Sequence, residues 1–167
     1  MQNSKQEKSH QRSFLTFKLG EEEYAVHVQN VLNILEFTKI TLVPEAPDYM
    51  KGVINLRGDV LPVIDTRVKL GLSPCEYTDN TCIVVIEINQ NGEKIYFGSL
   101  VDKVEAVHEI SKEEVKSPTD GENIYKSRFI KGITSRNGTF IMLLDVEKLF
   151  DKAEIPALDE NTELTES

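Results

Sequence analysis

Two aspartates at matching positions in the chain are the clearest candidates for acid–base chemistry. Asp65 and Asp145 lie 80 positions apart, and each follows a strongly apolar segment. A pair of carboxylates can divide the roles of general acid and general base. Because each aspartate directly precedes a short helix-like segment, a helix N-cap explains both positions more simply. The sequence therefore predicts two caps rather than a catalytic pair.

The histidines and cysteines lack the spacing of a metal or nucleophile site. His10, His27 and His108 are far apart along the chain, and Cys75 and Cys82 do not form a Cys-x-x-Cys pair and have no His near them. Metal and redox motifs place such residues at short fixed intervals. No phosphate loop, dinucleotide fingerprint or nucleophile elbow is present either. We therefore expect no metal, no cofactor and no enzymatic activity. A small β-barrel hydrolase or transferase that uses Asp65, Asp145 or a cysteine is kept as the minor alternative.

Arg57 is a cation in a glycine turn between two apolar segments of an acidic protein. One interpretation is an ordinary solvated surface residue. The other is a specific contact, because a guanidinium can fork onto a partner's carboxylate or carbonyl oxygens. The residues alone leave both interpretations open.

A repeated segment indicates how these residues are positioned. Residues 51–65 and 131–145 share a Lys-Gly start, a turn glycine, an apolar strand and a final Asp. The copies predict two similar β-rich halves. They differ at residues 55–57, Asn-Leu-Arg, against residues 135–137, Ser-Arg-Asn. Since the shared positions serve the fold, the difference indicates where function resides.

Composition limits the classes of partner. The chain of 167 residues is 40% hydrophobic and 28% charged, which is typical of an ordered globular protein. The net charge of −9 disfavours nucleic acid and anionic lipid as ligands, and with them a nucleic-acid-binding barrel of SH3 type. The apolar runs are too short to cross a membrane, and the N-terminus does not resemble a signal peptide. We predict a cytoplasmic protein without direct membrane insertion.

Alternating apolar residues predict about ten short strands and little helix. The strongest hairpin signals are the turns at 57–58, 91–92 and 137–138. Asp65 is expected to cap a short helix over 66–70 that Gly71 ends. Residues 28–35 are predicted to form a short helix or irregular strand with one apolar side. The fold class is therefore all-β.

Two apolar stripes repeat this pattern in the two halves. They comprise Val28, Val31 and Leu35, and Val101, Val104 and Val107. Such stripes usually belong to a core. If the halves pack side by side, the stripes could instead line a groove that suits an amphipathic helix from a partner.

The predicted folded unit is a single domain over residues 14–150, with pseudo-repeats at about 14–72 and 80–150. Residues 1–13 are expected to form a flexible N-terminal tail. Residues 151–167 carry six acids against one lysine and are expected to form an acidic C-terminal tail.

The chain resembles the CheW family of bacterial chemotaxis coupling proteins. The signature of that family is Lys-Gly-hydrophobic-x-Asn-Leu-Arg-Gly-x-hydrophobic-x-Pro, and every fixed position is present from Lys51 to Pro62. The segment Glu-Glu-Glu-Tyr-Ala-Val-His-Val before it, and residues 100–107 and 131–149 after it, also fit. The resemblance covers about residues 14–150.

The resemblance implies two five-stranded SH3-like β-barrels that share a core, with a few short helices. It further implies a non-enzymatic adaptor that couples chemoreceptor cytoplasmic tips to the regulatory domain of the histidine kinase CheA. Such a protein would be a monomer when isolated. In the cell it would be cytoplasmic, peripheral to the inner membrane through receptor arrays. A coupling protein of a related pathway for pili, development or second messengers is the alternative within the family.

The resemblance also assigns two sets of contact residues. The implied receptor-binding set is Val28, Val31, Asn33, Arg57, Cys82, Ile83 and Val107. The implied kinase-binding set is Ile40, Val60 and Gly121. Asn33 stands where the family usually has Glu, and Gly121 where some relatives carry an aromatic residue. The first difference implies a matching difference in the receptor tip.

Overall fold

Ten strands form the architecture of the protein. The computed structural model describes residues 11–117 and 127–154. The strands are β1 (Gln11–Leu19), β2 (Glu22–His27), β3 (Val31–Glu36), β4 (Met50–Leu56), β5 (Asp59–Asp65), β6 (Cys82–Gln90), β7 (Glu93–Val101), β8 (Lys103–Ser111), β9 (Ile130–Arg136) and β10 (Thr139–Leu144). The helical elements are α1 (Thr66–Lys69) and the 3₁₀ turns Val28–Asn30, Lys112–Glu114, Val146–Lys148 and Lys152–Glu154.

The strands form two curled five-stranded sheets. Sheet 1 has the order β8-β1-β2-β10-β9, and sheet 2 has the order β3-β6-β7-β5-β4. The prediction of an all-β fold with two five-stranded barrels is confirmed. Each sheet contains one parallel pair, β2 with β10 and β7 with β5, while its other pairs are antiparallel.

The two sheets do not coincide with the two sequence repeats. Sheet 1 takes the hairpin β1–β2 from the first repeat and β8, β9 and β10 from the second. Sheet 2 takes β3, β4 and β5 from the first repeat and the hairpin β6–β7 from the second. The repeats have therefore exchanged their first hairpins. Neither repeat contains all the strands of one sheet, so the halves must fold together.

A single hydrophobic cluster joins the sheets. It includes Phe17 from sheet 1, Phe97 from sheet 2 and Phe150 near the end of the described chain, all at most 1% exposed. The rings of Phe97 and Phe150 stack with centroids 5.1 Å apart. Each fully buried side chain of this size contributes roughly 1.5–3 kcal/mol. This cluster is the shared core.

Strand β6 shows how one sequence contributes to two cores. Its side chains at Val84 and Ile86 point into the shared core, whereas those at Ile83 and Val85 belong to a second cluster inside sheet 2. Neighbouring side chains on a strand point to opposite faces. A run without polar residues is thus required here, because both faces of β6 are buried.

The hairpin turns have the geometry that the sequence predicts. At 57–58, 91–92 and 137–138 both turn residues have positive φ, between 52° and 88°. This is the type I′ arrangement that joins twisted antiparallel strands. The second and third turns use Asn-Gly, whereas the first places Arg57 at the position of the Asn.

The two predicted caps have different outcomes. The carboxylate of Asp65 accepts a hydrogen bond from the Val68 N–H at 3.3 Å and caps α1, as predicted. Asp145 occupies the N-cap position of the turn Val146–Lys148, as predicted, but its side chain makes no capping hydrogen bond. Its carboxylate lies 3.7 Å from the Lys148 Nζ instead. The short 3₁₀ turn that follows it is closed by the backbone hydrogen bond from Lys148 N–H to the Asp145 carbonyl.

The repeated Lys-Gly pair makes room for a crossing segment. Gly52 has φ +147°, and a Cβ there would lie 2.1 Å from the Thr41 carbonyl oxygen. Thr41 pairs with Val53 and covers the outer edge of β4. In the same way Gly132 admits the segment at 115–116, which pairs with β9.

The strand β1 begins earlier than the predicted boundary of the domain at residue 14. Gln11 pairs with Ser111, and Arg12 with Ile110. The first three residues of the strand are polar and at least partly exposed, so no apolar alternation indicates them. At the other end, residues 152–154 form a 3₁₀ turn within the segment predicted as an acidic tail.

Candidate partner-binding site

Each sheet has one covered and one open outer strand. Thr41 covers β4 and Lys116 covers β9 through the bridges described above. The other outer strands, β3 and β8, pair only with β6 and β1 among the described residues. Unpaired edges of this kind are available to other chains. The open strands carry only part of the two predicted stripes: Val28 lies in the 3₁₀ turn before β3, Val101 is buried at the end of β7, and Leu35 packs against the cluster inside sheet 2, which leaves Val31, Val104 and Val107.

Half-buried side chains join the two open strands at the shared core. Val28, Val31 and Cys82 all pack against that core, and so does Val104 of β8. Burial raises the pKa of the Cys82 thiol, and a hydrogen bond from the Val104 backbone acts in the opposite direction. Cys82 therefore stays a neutral, mostly apolar group. Three residues of the predicted receptor set are thus partly exposed apolar groups backed by the shared core, with Val31 and Cys82 at opposite ends of the β3–β6 pair. We call this surface, with the open strands β3 and β8, the groove.

Val107 and Asn33 lie on the two open strands themselves. Val107 of β8 is 58% exposed and pairs with Leu15 of β1. Asn33 of β3 is half-buried, and its Oδ1 accepts a hydrogen bond from the Ile34 N–H at 2.8 Å. The side chain that replaces the family's usual Glu is therefore used locally and brings no charge to β3.

Two exposed apolar residues of β3 were missed by the sequence analysis. Leu32 is 56% exposed and Ile34 is 43% exposed. A bulge between Val31 and Asn33 shifts the pairing with β6. Their exposure was not predicted because residues 28–35 were interpreted with helical spacing, whereas strand alternation starts only at Val31. Both add apolar surface to the open edge.

Ile83 does not belong to the surface, and this assignment needs correction. Its side chain is fully buried in the cluster inside sheet 2, together with Val63 and Leu100. A neighbour in sequence, Cys82, faces the groove instead. Because adjacent strand residues face opposite sides, the two could not both line one groove. Ile83 positions β6 and offers no area to a partner.

Arg57 lies at the exposed tip of the β4–β5 hairpin with φ +54°. It makes no hydrogen bond or ion pair with the residues that the structure describes. Its neighbour Asn55 accepts a hydrogen bond from the Gly58 N–H at 3.0 Å, which fixes the turn. The turn therefore places the guanidinium in solvent, where its N–H groups are available to a partner.

The predicted kinase-binding residues fall on the outer part of sheet 2. Val60 of β5 is 61% exposed, whereas Ile40 is half-buried against the inner cluster of that sheet. Gly121 lies outside the described residues. At the repeat position of Val60, sheet 1 carries Phe140, which is 64% exposed and which the sequence analysis did not select.

An ion pair fixes the two sheets relative to each other. The Arg67 Nη2 of α1 lies 2.6 Å from the Asp102 Oδ2, between β7 and β8. The Gly20 N–H of the β1–β2 turn donates to the same carboxylate at 2.6 Å. Burial by itself raises the pKa of Asp102, but Arg67 and Gly20 outweigh it, so this pKa lies below its ordinary value. Nothing in the local sequence indicated this contact.

Two kinds of feature are absent from the described residues. No group of three or more His, Cys, Asp or Glu side chains within 11–117 and 127–154 is arranged to hold a metal ion. In the same residues, no helix has the length and apolarity needed to span a membrane. A two-barrel fold with open apolar strands defines a protein-interaction domain.

Comparison with known proteins shows which family of interaction domains this chain matches. Residues 13–154 match the CheW-like domain. The chain is 33% identical to the chemotaxis protein CheW of Bacillus subtilis over 138 residues, which is 83% of this chain and 86% of that one. It is 32% identical to a probable chemotaxis protein CheW of Rhizobium etli over 146 residues, 87% of this chain and 92% of that one.

The fold agrees with a solved structure of the same kind. The crystal structure of the scaffolding protein CheW from Thermoanaerobacter tengcongensis matches with a TM-score of 0.73 and 29% identity, covering 84% of this chain and 92% of that one. The chain belongs to the CheW family of chemotaxis coupling adaptors.

Proposed function

We propose that this chain binds chemoreceptor cytoplasmic tips at the groove and the CheA regulatory domain at the outer part of sheet 2. It has no catalytic role in this scheme. The observation that carries the proposal is the pair of open strands, β3 and β8, on either side of a seam of half-buried valines. An adaptor needs two separate contact surfaces, and the Val60 surface is the second.

The groove suits an apolar helical partner. Val28, Val31 and Cys82 are partly exposed apolar groups backed by the shared core, so a partner meets a rigid surface. Leu32, Ile34 and Val107 add exposed apolar area on the two edges. An amphipathic helix buries such side chains at i, i+3, i+4 and i+7 spacing. Arg57 is not among the groove residues and lies on the same hairpin as Val60, so its donors would reach a carboxylate or carbonyl of the receptor tip beyond the groove itself.

The kinase surface offers an apolar anchor to the CheA regulatory domain. Val60 is an isolated exposed apolar side chain on a rigid hairpin, with Ile40 supporting the same sheet from inside. A protruding apolar residue on a preformed strand acts as an anchor without ordering cost. Binding through both surfaces would place the protein on the cytoplasmic side of the membrane, within receptor arrays.

Two charge substitutions separate the surfaces. Val107→Asp should weaken binding to a receptor cytoplasmic fragment at least about tenfold and leave binding to the CheA regulatory domain unchanged. Val60→Asp should have the opposite effect. Calorimetry with the receptor and CheA fragments from the same genome measures both affinities.

Matched controls are available at similar exposed positions. Tyr96→Asp on β7, 40% exposed, should change neither affinity, and Phe140→Asp tests the repeat equivalent of Val60 on sheet 1. If wild-type protein binds neither fragment, the proposed function is wrong. If Phe140→Asp rather than Val60→Asp abolishes CheA binding, the kinase surface lies on sheet 1.

A further inference from the structure

His27 ends β2 and begins the turn that carries one wall of the groove. Its Nδ1 accepts a hydrogen bond from the Gln29 N–H at 3.4 Å, so the imidazole is the N-cap of the 3₁₀ turn Val28–Asn30. This turn delivers Val28 and, directly after it, Val31 to the shared core. The acceptor at Nδ1 is thus one of the groups that hold this wall.

The far end of the same turn is also anchored. The Asn30 side-chain amide donates to the Glu87 carbonyl of β6 at 2.9 Å. Val31 then begins β3, opposite Ile86 of β6. With Asn30 fixed on sheet 2 and His27 fixed on sheet 1, the turn spans the seam between the sheets.

The second ring nitrogen of His27 has no partner. Its Nε2 is buried and forms no hydrogen bond with the described residues. Because Nδ1 must keep its lone pair to accept from Gln29, the proton of the neutral ring belongs on Nε2. The ring also packs on Phe14 of β1, with centroids 5.0 Å apart. The site is built for a neutral imidazole.

The charged groups around His27 oppose its protonation. Burial lowers the pKa of His27, and the positive charges of Lys131 on β9 and Arg12 on β1 lower it further. The segment of β10 that pairs with β2, residues 141–143, carries no charge.

Strand β8 lies on the other side of β1 and brings no free acid at this level. His108 is opposite Phe14, and the next pair is Glu109 with Ser13. Ser13 and Glu109 lie on the opposite face of the sheet from Phe14 and His27, and the charges that act on His27 are both positive. No carboxylate among the described groups is therefore placed to stabilise an imidazolium at position 27.

We propose that His27 is a positioning residue of the groove, whose neutral ring holds Val28 and Val31 in place and whose protonation releases them. A proton at Nδ1 removes the acceptor of the Gln29 N–H and puts a charge beside two cations. The groove then loses its ordered wall, and its helical partner binds more weakly. The inference rests on the proposed receptor function of the groove.

The sign of the pH dependence follows from the direction of the shift. The pKa of His27 in the folded protein lies below its ordinary value of 6.5. The unfolded chain therefore takes up the proton first as pH falls. The stabilisation from His27 is complete above about pH 6.5 and is lost as pH falls through the folded pKa.

Binding to a receptor cytoplasmic fragment at about pH 7.5 and 5.5 tests the proposal. Wild-type affinity should be lower at the lower pH, where more of the His27 ring is protonated. His27→Asn keeps a capping acceptor that does not titrate, so its affinity should fall clearly less. His27→Ala should bind weakly at both pH values. His108→Asn, on the opposite side of Phe14, is the matched control and should keep the wild-type profile.

A partner-free measurement separates this proposal from the proposed function. In NMR spectra of the isolated protein, the Gln29 amide and the Val28 and Val31 methyl signals should shift with the titration of the His27 ring. A Gln29 amide that does not follow His27, or a His27→Asn protein with the full wild-type pH dependence, overturns the proposal. If the wild-type protein does not bind the receptor fragment at about pH 7.5, the proposed receptor function is wrong. The Gln29 titration then still shows whether the His27 ring caps the 3₁₀ turn.

Discussion

Arg57 occupies a backbone conformation that its side chain does not favour. The equivalent turn positions in the chain are Asn91 and Asn137, with φ of 54° and 52° against 54° for Arg57. Asn tolerates the left-handed region better than a long side chain does, and the difference is about 1 kcal/mol. Arg57 has no partner among the described residues, which agrees with the contact proposed for it.

The Arg57 interpretation yields a prediction at the residue scale. Arg57→Asn should leave stability unchanged or raise it by up to about 1 kcal/mol, while it weakens receptor binding. Arg57→Glu should weaken binding further at nearly unchanged melting temperature. Urea denaturation and calorimetry measure the two effects. The converse variant, Asn137→Arg, should cost stability and leave both partners bound. If Arg57→Glu unfolds the protein, Arg57 is structural.

The exposure of a side chain is the residue-scale property that was hardest to predict from the sequence. Val107 and Ile83 looked alike as apolar residues of the predicted groove, yet one is 58% exposed and the other is fully buried. Alternation along a strand fixes which residues share a face. It does not say which face a second sheet covers, because that depends on strands distant in sequence.

At the scale of elements, the crossing segments explain the repeated Lys-Gly pair. Thr41 and Lys116 each pair with the outer strand of a sheet, and a glycine beneath each one leaves the space. Covered edges do not recruit other chains. The same device on both sheets leaves only β3 and β8 open among the described strands, which is the side where the groove lies.

Gly52 supports a stability prediction for this device. Gly52→Ala should lower the free energy of unfolding by roughly 2–4 kcal/mol, because its Cβ would meet the Thr41 carbonyl oxygen at 2.1 Å. Gly58→Ala is the matched control, since its Cβ would meet no atom within 4 Å. That variant should cost about 1 kcal/mol, from its positive φ alone. If both variants lose the same free energy of unfolding in urea, Gly52 is needed only for its backbone angle and not for the space that it leaves to Thr41.

At the scale of the whole molecule, the exchange of hairpins makes the two sheets one folding unit. Each sheet needs strands from both repeats, and one shared core lies between them. The Arg67–Asp102 pair ties α1 to the β7–β8 junction, and Gly20 ties the β1–β2 turn to the same carboxylate. These contacts hold together the two sheets whose open strands flank the groove.

This ion pair gives a pH-dependent prediction for the whole molecule. The pKa of Asp102 is below its ordinary value of 3.8 in the folded state, so its contribution is present above about pH 4 and is lost as pH falls further. Asp102→Asn should lower stability at neutral pH by roughly 1–3 kcal/mol. It should also flatten the decline below pH 4, measured by urea denaturation. If the stability of the variant falls below pH 4 as steeply as that of the wild type, protonation of Asp102 is not coupled to folding.

The sequence by itself determined the features that depend on near neighbours. The type I′ turns follow from Asn91-Gly92 and Asn137-Gly138, and the cap of α1 follows from Asp65. Alternation predicted the strands, and the repeat predicted that two similar sheets exist. These signals are readable because each arises from the backbone preferences or hydrogen bonds of residues only a few positions apart.

Only the tertiary structure decided how these parts combine. The repeats exchange hairpins, so Ile83 turns inward and β3 and β8 become the open strands. The contact of Arg67 with Asp102 joins residues 35 positions apart. No local preference encodes such pairs, because their energies depend on which sheets meet and which edges are left uncovered. The groove therefore forms only when the two sheets pack together, although the sequence supplies every residue that lines it.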